Sequence, residues 1–138
     1  MKNTLKIALL FLIAFSCNSE EREHLIIQEF FKTFNHQNSG KAIDGLFSTN
    51  KWIDNNDPQI LKLKKDIDET INAIGNYYGY EQVSSVIMGD NLIQYEYLLR
   101  FDAQPLRFTI TLFKPDNEWQ VQNFHYDYKF IDELKEKN

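Results

Sequence analysis

Two periods run through this chain: a helical one over residues 25–74 and a period of two from residue 81 onward. In the second part Ile93, Tyr95, Tyr97, Leu99 and Phe101 share one parity, against Leu92, Gln94, Glu96, Leu98 and Arg100. Leu106, Phe108, Ile110 and Leu112 do the same against Arg107, Thr109, Thr111 and Phe113. Both runs predict antiparallel strands with one buried face. Residues 81–88 predict a strand before them, and residues 89–91 the tight turn that joins it. Matching the apolar faces sets the register, because a one-residue slip would invert them. With residues 102–105 as a loop, the expected pairs are Phe101 with Leu106 and Arg100 with Arg107. The last run changes phase: Trp119 and Val121 are on one parity, Phe124, Tyr126 and Tyr128 on the other. A β-bulge near Gln122 and Asn123 would bring all five to one face and curl the sheet.

Upstream, Ile27, Phe30, Phe31 and Phe34 fall at i, i+3, i+4 and i+7, which predicts a helix over residues 20–37. Ser39 and Gly40 are expected to end it, and residues 41–47 to form a short second helix. Residues 48–56 are a polar loop interrupted by Trp52 and Ile53. Trp52 is expected to plug a core edge or to stand at a pocket mouth. The third helix has Asp57 as N-cap and Pro58 at its first position, then a stripe of Ile60, Leu63, Ile67, Ile71 and Ile74. Gly75 and Gly79 are expected to close it. Residues 129–138 are a charged tail with room for one helical turn.

A chain of 138 residues is short for two ordinary domains, and 43% hydrophobic residues with 14% aromatics suffice for one substantial core. The formal net charge of −5 argues against a nucleic-acid partner. Cys17 is the only cysteine, which excludes an intrachain disulfide. Before it, Lys2 and Lys6 precede an unbroken apolar run over residues 7–15, and Ser16 follows: a secretory signal pattern. That run is about half of the ~20 apolar residues a membrane-spanning helix needs.

The segment AFSC, residues 14–17, resembles the lipobox of bacterial lipoproteins. The resemblance implies cleavage after Ser16, diacylglycerol on the Cys17 sulfur and further acylation of the new amine. It also implies an outer-membrane lipoprotein of a bacterial cell envelope, periplasmic or surface-exposed. Glu20, Glu21 and Glu23 resemble the acidic export signal of surface lipoproteins, or else form an acidic helix start. The expected organisation is a signal peptide over 1–16, a short acidic tether over 17–22 and one domain over 23–138.

The order helix, short helix, helix and antiparallel sheet, the hairpin QYEYLLRFDAQPLRFTITLF and the ending EWQVQNFHYD resemble the nuclear transport factor 2-like superfamily. The resemblance covers about residues 20–128. It implies an α+β fold of the cystatin-like cone type, with N-terminal helices packed on a curved antiparallel sheet. It also implies a pocket between helices and sheet, and pairing through the sheet's other face. That superfamily holds both enzymes and binding modules, so the fold does not choose between them.

Candidate chemistry is sparse. His24, His36 and His125 are scattered without metal-ligand spacing, and no nucleophile elbow, P-loop or dinucleotide fingerprint occurs. Neither a metal, a cofactor nor a catalytic set is expected. The pocket candidates are Tyr95, Tyr97 and Tyr126, with Phe108 and Trp52, and with Tyr77, Tyr78 and Tyr80 at the rim; the alternative is that the tyrosines are core. The polar sheet face offers Arg100, Arg107 and His125 as an anion site, or as a surface paired locally to Asp102 and Asp127. The pattern therefore predicts a lipid-anchored domain that binds a small apolar ligand or an envelope protein. The alternatives are an isomerase- or dehydratase-type enzyme using Tyr95, Tyr97 and His125, and a homodimer formed through the face of Arg100 and Arg107.

Overall fold

The computed structural model describes residues 20–34 and 38–137. Cys17 and the signal-like segment before it lie outside the described residues. Helices α1 (Glu20–Phe34), α2 (Ser39–Phe47) and α3 (Pro58–Ile74) precede strands β1 (Tyr77–Met88), β2 (Leu92–Phe101), β3 (Leu106–Phe113) and β4 (Gln120–Asp127), and a short α4 (Phe130–Glu136) follows. The strands form one antiparallel open sheet in sequential order, an α+β arrangement. Alternation decides which face is inside: Ile93, Tyr95, Tyr97, Leu99 and Phe101 are buried, as are Leu106, Phe108, Ile110 and Leu112. Against them lies the stripe of α1, whose Ile27, Phe30, Phe31 and Phe34 are all buried.

Local chemistry sets the helix ends. Asp57 caps α3 by accepting from the Gln59 N–H at 2.8 Å, with Pro58 at the first position. Asn38 accepts from the Lys41 N–H at 3.3 Å and so starts α2 at Ser39; Ser39 and Gly40 open this helix rather than end the previous one. α1 begins at Glu20, where the helix was expected to start.

The strands differ from expectation in three places. β1 begins at Tyr77, not residue 81, because register shifts after Tyr77 and after Gln82 let it continue. Gly79, at φ 128, lies in the first of these bulges instead of closing α3. β2 and β3 pair Leu99 with Leu106 and Leu98 with Arg107, two residues from the expected register, so Arg100 does not face Arg107. In β4 the bulge falls at Gln122, between the pairs Thr111–Asn123 and Leu112–Val121. It turns Trp119, Val121 and Phe124 inward, with Tyr126 half-buried. Tyr128 lies beyond the strand end and is exposed, contrary to the expected set of five.

Gly75 closes α3 at φ 93 and is held in a close approach. The next amide, Asn76 N–H, donates to Asp102 Oδ2 at 2.6 Å, and a Cβ on Gly75 would fall 2.8 Å from the Asp102 Cβ. Gly75→Ala is expected to cost about 1–3 kcal/mol, from the left-handed backbone and the displaced Asp102. Urea denaturation would read it as a lower midpoint at unchanged slope.

Candidate functional site

Among the described residues, the aromatic candidates on the buried sheet face pack against one another and against α1. Phe108 is fully buried, and its ring lies 5.1 Å from Phe124, 5.4 Å from Phe34, 6.1 Å from Phe30 and 6.4 Å from Tyr126. Tyr97 meets Phe31 edge-on at 4.8 Å, and Phe31 stacks on Tyr80 at 3.7 Å. Burial pushes the Tyr97 hydroxyl well above its ordinary pKa. Tyr126, at the edge of this cluster, also lines a surface hollow with Leu63 and His125. Trp52 neither plugs the core nor joins the tyrosines, but it stands at a surface hollow that it shares with Pro115 and Glu118. At 81% exposure its ring stands in solvent, with Lys51 Nζ 5.3 Å from its centroid. Asn50 takes the buried place instead, donating to the Val121 carbonyl at 2.7 Å.

One buried acid escaped the pattern. Glu23 is buried at the start of the α1 stripe, and its Oε2 has no hydrogen-bond partner among the described residues. Burial, and then the Glu23 charge, raise the pKa of Tyr95. The signal was present: Glu23 lies four residues before Ile27 and seven before Phe30, on the same helix face. Its place in an acidic run disguised it.

On the polar face the expected row of cations is broken. Arg107 makes a forked contact with Asp127, from Nε to Oδ2 at 3.2 Å and from Nη2 to Oδ1 at 3.1 Å. Glu133 on α4 takes Nη1 and Nη2 at 3.0 and 2.8 Å, and Phe130 lies 5.2 Å from the guanidinium carbon. His125 Nε2 is 3.4 Å from Asp127 Oδ2. Arg100 is elsewhere, donating to the Tyr78 carbonyl at 3.2 Å. The carboxylates of Asp127 and Glu133 fill the Arg107 fork, which is the local pairing set against an anion site. Asp102 does not join them; it ties the end of α3 to β1 through Asn76 N–H and the Tyr78 hydroxyl. Those two hydrogen bonds, the Tyr78 one first, hold its carboxyl below the usual range.

The geometry offers a different hollow, of about 310 Å³, where α3 ends and β1 begins. Phe34, Ile71, Tyr77 and Phe101 form its apolar wall, and Ser39, Asp68 and Asn72 its polar rim. The rim is itself linked: Ser39 Oγ and Asn72 Nδ2 donate to the two Asp68 oxygens at 3.5 and 3.3 Å. The Tyr77 hydroxyl is buried without a hydrogen-bond partner among the described residues. Burial drives its pKa far up, so it keeps its proton and remains a donor at any working pH. An apolar wall with a few convergent polar groups is how a small ligand is bound and oriented. Among the described residues no three His, Cys, Asp or Glu side chains gather to hold a metal ion. Comparison with protein-family models and with curated proteins finds no match to this chain.

Proposed function

We propose that this chain is a lipid-anchored protein of a bacterial cell envelope, tethered through Cys17, whose domain binds a small apolar ligand without chemistry. The nuclear transport factor 2-like cone remains the reading of its fold; helices followed by an antiparallel sheet with a bulged last strand support it. The observation that carries the binding role is the hollow at the α3–β1 junction itself, an apolar wall of Phe34, Ile71, Tyr77 and Phe101 facing the linked rim of Ser39, Asp68 and Asn72. The wall would hold an apolar body, and the rim would orient one polar end. The preferred ligand is therefore largely apolar with a single polar group.

The enzyme reading has Glu23 in its favour, a carboxylate beside Tyr95 of the kind proton transfer uses. Next to that pair, Phe31 meets Tyr97 and Phe30 meets Phe108 ring against ring, which favours binding over turnover. Organic extraction of protein purified from its own membrane, read by mass spectrometry, tests the proposal. The wild type is expected to carry a small molecule, and Asn72→Ala, at the exposed rim of the hollow, to retain up to about tenfold less at unchanged fold, the loss of one hydrogen bond. An empty wild type, with no partner captured by crosslinking, would defeat it.

A further inference from the structure

The end of the domain from which α1 starts carries its own apolar surface. Ring contacts fix the direction of α1: His24 lies 6.1 Å from Tyr95, Phe31 4.8 Å from Tyr97, and Phe34 5.3 Å from Tyr77. Tyr77 pairs with Phe101, whereas Tyr95 pairs with Ser85, near the β1–β2 turn. The first turn of α1 therefore points toward that turn. Phe113 pairs with both Leu92 and Gln120, which sets the β3–β4 loop at the same end. The α2–α3 loop is fastened there too, because Asn50 and Thr49 bond the Val121 carbonyl and N–H at 2.7 and 2.9 Å.

The three most exposed large apolar side chains among the described residues all belong to this end. They are Trp52 at 81%, Ile87 at 67% and Met88 at 66%. Strand spacing puts β1 and β4 about 14 Å apart, so the hairpin tip and the Trp52 loop flank the start of α1. Lys51 sits over the Trp52 ring and Lys114 over the Trp119 ring at 5.0 Å, cations on flexible stems beside aromatic faces. Tryptophan with flanking lysine is the composition of a membrane–water boundary. Asp90, Asp116 and Glu118 at the same end disfavour an anionic surface.

We propose that this end is a docking surface for a zwitterionic lipid bilayer, with Trp52, Ile87 and Met88 entering the interface. The inference rests on the anchor reading for its occupant: Cys17 is three residues before Glu20, a span of at most about 11 Å. A lipid on its sulfur would hold the membrane against this end. Two or more acyl chains on Cys17 would hold the protein to the bilayer, and apolar contacts beside them would fix how the domain lies on it. The hollow at the α3–β1 junction lies at the opposite end of α1, by Phe34, and would face away from the membrane.

The test uses the full chain purified from its membrane and reconstituted in phosphatidylcholine vesicles, some with brominated acyl chains. Intact mass reads the lipid on Cys17 independently. Trp52 fluorescence, taken as the difference between wild type and Trp52→Phe, is expected to fall about twofold in brominated vesicles. The double variant Ile87→Ser/Met88→Ser is expected to recover most of it. Quenching supports this surface, even if Cys17 proves unmodified and the anchor reading fails. A lipidated chain with unquenched Trp52 overturns the surface and leaves the anchor standing. Unquenched Trp52 with no lipid overturns both. A dimer in sedimentation, abolished by the double variant and leaving Trp52 unquenched, assigns the tip to a second copy and also overturns it.

Discussion

Phe108→Ala is expected to lower the stability of the domain by about 3–5 kcal/mol, the range for truncating a fully buried phenylalanine. Phe108 touches no solvent, and four rings surround it: Phe30 and Phe34 from α1, Phe124 and Tyr126 from β4. It joins the helix layer to the sheet, so its loss removes both transfer energy and contacts that the neighbours cannot all restore. Small domains are stable by about 5–15 kcal/mol, so this loss would take a large share of the whole. Urea denaturation followed by tryptophan fluorescence measures it as a shifted midpoint at constant slope. Tyr128→Ala is the control: Tyr128 is exposed, and its loss is expected to stay within about 0.5 kcal/mol. A loss below about 1 kcal/mol for Phe108→Ala would mean that the helices do not rest on the sheet through this cluster.

How far the sequence could foresee this arrangement depends on what each pattern measures. Parity was legible, since one buried face imposes alternation on β2 and β3, and every inward residue expected there is inward. The phase break in β4 was legible too, as only an extra residue reconciles Val121 with Phe124; the structure puts it at Gln122. Register was not. A shift of two residues keeps each side chain on its own face, so alternation cannot distinguish Leu99–Leu106 from Phe101–Leu106. That slip separated Arg100 from Arg107, and with it went the expected row of cations.

The site residues were less legible, for related reasons. Trp52 was read by its residue type, yet its neighbour Asn50 fills the buried position because it can satisfy the Val121 carbonyl. Glu23 was read by its charge, yet helical spacing puts it under the same cover as Ile27. The hollow at the α3–β1 junction depends on residues drawn from α1, α2, α3, β1 and β2. Convergence of that kind is tertiary, and no single run of the chain encodes it. Tyr77 could be placed at a rim from its position before the first expected strand; that its hydroxyl lacks a partner follows only from packing.

Asp127→Ala is expected to cost about 3 kcal/mol, because it strips one of two hydrogen-bonded carboxylates from a buried guanidinium and leaves Nε unpaired. The side chains of Arg107 and Asp127 are only 13% and 11% exposed, well below the surface pairs that contribute little. Glu133 and Glu96 remain within 2.8 and 4.0 Å of Arg107, which keeps the loss at the lower end for such pairs. Replacing both partners, as Arg107→Met with Asp127→Leu, removes two desolvated charges together and is expected to recover most of the loss. The pH dependence follows from the same contacts. Burial alone would raise the Asp127 pKa; the Lys129 N–H, the Arg107 fork and His125 outweigh it and hold the carboxyl below its ordinary value. A depressed carboxylate stabilises the fold fully above its unfolded pKa, near about 4, and the gain disappears as pH falls through the lower folded value. Wild type is therefore expected to lose stability below about pH 4, and Asp127→Ala to lose less over that interval. The exposed Asp102, depressed by its Tyr78 and Asn76 bonds, leaves a residual slope in both proteins. Urea midpoints at pH 7 and pH 3 decide the matter: equal acid slopes in the two proteins would remove Asp127 from the titration.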